Sequence, residues 1–139
     1  DEACDGFAEL VGLAQADFVE IKGATFAPVW EKTRSGLSVS SVPGHNEVKE
    51  FAKRLAARLP GYGMACEHEH SCGVLLARRD RFFDPWGQWH TWIDYDRFAD
   101  AAEEGKVLDV QDFAQKTPDW ALARDSHESG NSILGFDPR

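Results

Sequence analysis

The chain has 139 residues, 24 acidic against 15 basic side chains, a net charge of −9 and 42% hydrophobic content. That length and apolar share suit a single domain over residues 1–139 with a modest core. The acidic balance argues against nucleic acid as an obligate partner, because phosphate binding needs a positive field. Three cysteines, an odd number, argue against a disulfide scaffold, and no apolar run is long enough for a membrane span.

The first periodic stretch sets Phe7, Leu10, Val11, Ala14, Phe18 and Ile21 at helical spacing, which predicts a helix from Cys4–Asp5 to just before Gly23. Residues 23–44, punctuated by Gly23, Pro28, Gly36, Pro43 and Gly44, read as loop or short hairpin. A second helix is expected at about 46–59, with Asn46 as its cap, an apolar stripe of Val48, Phe51, Ala52, Leu55, Ala56 and Leu59, and Pro60-Gly61 as its stop. Strands are predicted over Met64–Glu69 running into Ser71–Ala77, over Arg81–Phe83 and over Gln88–Ile93. Tyr95–Glu104 and Val110–Lys116 read as short helices, and the last twenty residues carry little periodic signal. Helices first and antiparallel strands afterwards define an α+β domain.

Within this order lies a set of residues suited to cysteine hydrolysis. Cys4 stands where the first helix should begin, so the positive end of the helix dipole would favour its thiolate. His70 opens the apolar run Ser71-Cys72-Gly73-Val74-Leu75-Leu76-Ala77, and Asp84 closes the next predicted strand at Phe82-Phe83-Asp84-Pro85. A turn at 78–80 pairing these two strands would bring His70 and Asp84 together, as nucleophile, base and orienting acid require. His68, two positions earlier, lies on the same face and competes with His70 for the role of base.

The stretches His70-Ser71-Cys72-Gly73-Val74 and Arg81-Phe82-Phe83-Asp84-Pro85-Trp86-Gly87-Gln88-Trp89, with Tyr95-Asp96-Arg97-Phe98-Ala99 after them, resemble the second half of the YopT-like cysteine peptidase and effector family. Cys4-Asp5-Gly6-Phe7 is similar to that family's Cys-x-Gly-Leu at the head of a helix, and also to the Asp-Cys-Ser-Gly-Phe opening of NlpC/P60 peptidoglycan hydrolases. The resemblance implies a papain-like fold, N-terminal helices packed on a small antiparallel sheet, with catalytic Cys4, His70 and Asp84. It implies a monomer that cleaves or deamidates a protein substrate without cofactor or metal. It also implies a secreted or injected effector or toxin, with a cognate inhibitor or immunity protein as a further partner. One departure is that no Gln or Asn precedes Cys4, which leaves the oxyanion donor to the backbone N–H of Cys4 or Asp5, or to Asn46. The alternatives are a non-catalytic protein-binding module on the same fold, an adaptor or immunity-type partner, or an NlpC/P60-like peptidoglycan hydrolase.

Two other features invite chemistry. Cys66, His68, His70 and Cys72 suit zinc by ligand type, but alternate strand positions advance nearly 7 Å per step and do not converge unless the chain bends at 69–71. Trp86, Trp89, Trp92 and Tyr95 supply aromatic surface for a substrate groove beside Asp84, and period two cannot bury both Trp86 and Trp89.

Overall fold

The computed structural model describes residues 2–27, 29 and 36–124. Helix α1 (Glu2–Ala14) leads to strand β1 (Phe18–Lys22), and helix α2 (His45–Ala56) to strands β2 (Tyr62–His68) and β3 (Gly73–Arg78). There follow the single-turn helix α3 (Arg79–Phe82), strand β4 (Trp92–Ile93), helix α4 (Tyr95–Glu103) and strand β5 (Ala114–Gln115). The main sheet is antiparallel in the order β1-β3-β2, and β4 pairs with β5 in a separate two-stranded ribbon.

The first predicted helix overruns what forms. It ends at Ala14, Gln15 adopts φ 50°, and Phe18-Val19-Glu20-Ile21-Lys22 become an edge strand. The β-branched Val19 and Ile21 alternate with Glu20 and Lys22, and period two prevails over an apparent continuation of period 3.6. The expected strand at 81–83 is instead the turn of α3, and the expected helix at 110–116 divides into a 3₁₀ turn at Val110–Asp112 and β5.

Helix α2 forms as its pattern requires, capped by Gly44, two residues before the expected Asn46 cap. The Glu47 carboxylate reaches back to accept from the Gly44 N–H at 2.9 Å. Its stripe of Val48, Ala52 and Leu55, with Leu59 beyond its end, is buried against Val74 and Leu76 of β3. Val19 and Ile21 of β1 and Met64 of β2 pack into the same cluster from the flanking strands. Each fully buried Val or Leu here contributes about 1.5–3 kcal/mol of burial free energy.

The opposite face of the sheet builds a second cluster, of Ala65, Ala77, Phe82 and Trp89. A register shift between Met64 and Cys66 makes this possible. Met64 pairs with Leu76 and Cys66 with Leu75, so Ala65 is the extra residue of a bulge. The bulge turns Ala65 and Cys66 away from α2, while Glu67, opposite Val74, points back toward it and pairs with Lys49 at 2.5 Å. The free edge of β2 is covered by the end of the described chain. Cys66 bridges Leu122, the Ala123 N–H donates to the Ala65 carbonyl at 3.2 Å, and Lys49 Nζ donates to the Arg124 carbonyl.

Candidate functional site

The sheet face opposite α2 carries a groove of about 470 Å³, within the range of roughly 300–1,000 Å³ usual for small-ligand pockets. Its floor follows from strand register: Glu20, Leu75 and Cys66 line up across the three strands, with Gly73 and His68 as the next pair along. Its far wall is Thr91, Trp92, Thr117, Pro118 and Trp120.

A chain of hydroxyls fixes that wall to the floor. The Thr117 side chain, 1% exposed, accepts from the Thr91 N–H at 3.0 Å and shares a 2.8 Å hydrogen bond with the Thr91 hydroxyl. Thr91 Oγ1 in turn lies 3.1 Å from Cys66 Sγ, and the Thr117 N–H donates to the Trp89 carbonyl at 2.8 Å. Burial pushes the Cys66 thiol above its ordinary pKa, against a smaller opposing effect of the Thr91 hydrogen bond, so the sulfur is held as a neutral thiol. Above this row stand two indoles, Trp92 at 46% and Trp120 at 38% exposed, with ring centroids 6.1 Å apart and planes near perpendicular. The β4–β5 pairing holds Trp92 opposite Gln115, and the 3₁₀ turn Asp119–Ala121 carries Trp120.

The three residues expected to form a triad lie apart. Cys4 is 0% exposed on α1 and sits at the C-terminal end of α2, where its neighbour Asp5 binds Arg58. His70 lies in the Glu69–Ser71 turn. The neighbouring Cys72 carbonyl accepts from the Gly23 N–H, and Gly23 lies close against Val48 near the N-terminal end of α2. The two ends of α2 are roughly 16 Å apart at 1.5 Å per residue. Strand β3 separates His70 from Asp84, since one precedes its first residue and the other follows its last, about 17 Å of extended chain.

Asp84 does orient a histidine, but that residue is His90, whose Nε2 lies 2.9 Å from Asp84 Oδ2. The other carboxylate oxygen accepts from the N–H groups of Trp86 at 2.9 Å and Gln88 at 2.8 Å, closing the 84–88 turn. Partial burial works against the charge on Asp84. The Gln88 N–H, His90 and the Trp86 N–H outweigh it and hold the carboxyl below its usual range. His68, the rival base, bonds Ser71 Oγ through Nδ1 at 2.7 Å. The chain does bend at 69–71, yet among the described residues no three His, Cys, Asp or Glu side chains converge as metal ligands.

Arg78, Arg79 and Arg81 form a short basic run in the sequence, and all three are engaged within the fold. Arg78 is bound to Asp80, Arg81 spans Asp17 and Asp109, and Arg79 stacks on Phe83 and Trp89. Of the four aromatics expected at a groove, Trp92 lines this one. Trp89 is core, while Trp86, 82% exposed, and Tyr95 stand outside it. Thr91, Thr117 and Trp120 were not legible as site residues: they are joined by hydrogen bonds over 25 positions or more and by an aromatic contact, which no local period records. The one sequence signal was an indole directly after Thr117-Pro118-Asp119 in an otherwise aperiodic stretch.

Residues 13–78 match the family model described as Wyosine base formation. The individual relatives sharpen it. The S-adenosyl-L-methionine-dependent tRNA 4-demethylwyosine synthase of Oryza sativa subsp. japonica is 46% identical over 138 residues, covering 99% of this chain and 20% of the relative. The synthases of the same name from Homo sapiens and Danio rerio are 40% and 41% identical, covering 96% and 95% of this chain and 18% of each relative. The chain thus spans about a fifth of the length of the curated relatives it matches.

These matches overturn the peptidase reading. The likeness to YopT-like and NlpC/P60 enzymes, the cysteine-hydrolase activity and the effector or toxin role give way to a likeness to tRNA-modifying synthases of plants and animals. The secreted or injected location falls with them. The physical reason is visible in the motifs that suggested it: Phe82 is core, Asp84 builds a turn around His90, and Cys4 is a buried packing residue of α1. His127, in the polar segment Asp125-Ser126-His127-Glu128-Ser129-Gly130, lies outside the described residues.

Proposed function

We propose that this chain is a tRNA-engaging region of an S-adenosyl-L-methionine-dependent tRNA 4-demethylwyosine synthase. The observation that carries this reading is the 46% identity that extends over 99% of the chain to an enzyme of that name. The groove beside Trp92 and Trp120 gives the region a surface of the right chemistry, aromatic and hydroxyl-rich, for a base.

S-adenosyl-L-methionine does not fit that groove. Its methionyl carboxylate would face Glu20, and among the described residues no Lys or Arg lines the groove to receive it. No step through that cosubstrate is assigned to these residues. The same acidity, with Arg78 and Arg81 neutralised, assigns the bulk of phosphate-backbone binding to the remaining four-fifths of such an enzyme.

The test is nucleoside analysis of tRNA from cells that lack the endogenous synthase and express the full-length polypeptide carrying this chain. Appearance of 4-demethylwyosine by mass spectrometry is the expected result. A soluble, well-expressed polypeptide that leaves tRNA without this nucleoside overturns the reading.

A further inference from the structure

We propose that the groove between the sheet and the Trp92–Trp120 wall receives a single unstacked nucleobase of the tRNA, stacked on indole and read at its edge by Thr91 and Cys66, which the buried Thr117 hydroxyl holds in place. This rests on the tRNA reading above and gives it a location.

Four observations converge on a flat, neutral, hydrogen-bonding ligand. First, two indoles remain substantially exposed although both are held by backbone pairing or a 3₁₀ turn, so their positions are preset without a ligand. A preset aromatic face is what base stacking uses, and it stacks any base because every base has a π-face. Second, the edge-to-face packing of Trp92 on Trp120 leaves one indole plane as platform and the other as end wall, a corner rather than a flat patch.

Third, the polar groups at the back are the Thr91 hydroxyl and the neutral Cys66 thiol, able to donate or accept, as the mixed edge of a base demands, with Thr117 buried behind them. Fourth, the carboxylate on the floor is that of Glu20, and among the described residues no Lys or Arg lines the groove. Anionic phosphate is repelled there and a neutral base is not, so the sugar–phosphate stays outside while the base enters. The volume of about 470 Å³ admits a purine or pyrimidine with solvent to spare. Enzymes that modify a base reach it by taking it out of its stack, at an unstacking cost that an indole platform offsets.

The experiment uses the full-length polypeptide and measures equilibrium tRNA binding, its salt dependence and S-adenosyl-L-methionine binding in parallel. Trp92→Ala and Trp120→Ala are each expected to weaken tRNA binding about 5- to 100-fold. Trp92→Phe and Trp120→Phe should recover most of the loss, and Trp86→Ala, outside the groove, should bind as wild type. The slope of log affinity against log salt should stay unchanged, because no phosphate contact is removed.

Unchanged tRNA affinity in both alanine variants, with melting transitions matching wild type, overturns the proposal. So does a loss confined to S-adenosyl-L-methionine binding, which would place adenine of the cosubstrate in the groove, or a shallower salt slope, which would make the surface a backbone contact. If alanine variants unfold, the phenylalanine variants together with quenching of groove tryptophan fluorescence by tRNA decide the matter, and absence of quenching counts against it. A wild-type polypeptide that forms 4-demethylwyosine while both alanine variants bind tRNA normally sinks the groove alone. A wild type that forms none sinks the broader reading.

Discussion

Cys66 shows how far side-chain chemistry depends on where the backbone puts it. Read as a sequence, Cys66 belongs to a tempting run of soft ligands with His68, His70 and Cys72. In the fold, the bulge at Ala65 turns its sulfur onto the groove floor, next to Thr91 and away from any carboxylate or cation that would activate it. Desolvation raises its pKa, so the thiolate fraction at pH 8 is smaller than that of an exposed cysteine. Timed alkylation with iodoacetamide at pH 8, read by peptide mass spectrometry, should label Cys66 more slowly than an unstructured cysteine peptide. Equal rates would contradict this environment. Asp84 makes the complementary point. Its Phe-Asp-Pro context singled it out in the sequence, and the structure does pair it with an imidazole. The partner lies six residues downstream, through a turn, and not on a neighbouring strand. The acid was legible because Asp before Pro has strong local turn chemistry; its histidine was not, because the choice between His70 and His90 is made by tertiary path.

Among the elements, those with an uninterrupted apolar face were readable and those decided by neighbours were not. Helix α2 follows from its stripe and its stop, and strands β2 and β3 from their β-branched and apolar runs. The end of α1 was missed because Phe18 and Ile21 extend its 3.6-residue spacing by coincidence, while β1 is held in place by pairing with β3 some 55 residues away. Helix α3 replaces a predicted strand so that Phe82 can fill the second core and Arg79 can fold back over β2. That fold-back has a cost written at Gly63. A methyl group added there would lie 2.7 Å from Arg79 Nη2 and 2.8 Å from Trp89 Cζ2. The guanidinium can move, but the indole is core. Gly63→Ala should therefore destabilise the fold by about 1–3 kcal/mol in urea unfolding. A neutral result would show that α3 and Trp89 can shift as a unit.

For the molecule as a whole, acid should act through the carboxylates that the fold has captured. Asp84, Asp80 and Asp109 all have pKa values held below the usual carboxylate range. Asp84 keeps its charge through hydrogen bonds that outweigh burial, Asp80 chiefly through Arg78, and Asp109 through the Gln111 N–H and then Arg81. Because the folded pKa lies below the unfolded one, the stabilisation is present above the unfolded value of about 4 and is lost as pH falls through the folded values. The urea midpoint should stay flat from pH 7 to 5 and drop below pH 4, and Asp84→Asn should lower the pH 7 midpoint while softening the acid drop. An unchanged acid limb in that variant would remove Asp84 from the account.

The β4–β5 ribbon has a consequence for how this protein can vary. It clamps the two ends of the stretch 94–113, with the Asp94 N–H donating to the Phe113 carbonyl at 2.8 Å, while Arg81 holds Asp109 and Val110 packs against the second core. Both groove indoles lie on the near side of it. The part of the stretch that precedes Asp109 can therefore change length at little entropic cost while the wall stays in register with the floor. By contrast, the family-model match at 13–78 stops short of Thr91, Trp92, Thr117 and Trp120. A fragment cut at that boundary would keep the floor of the groove and lose its walls. An intact groove thus needs the chain from β1 to Trp120, with one length-tolerant excursion inside it.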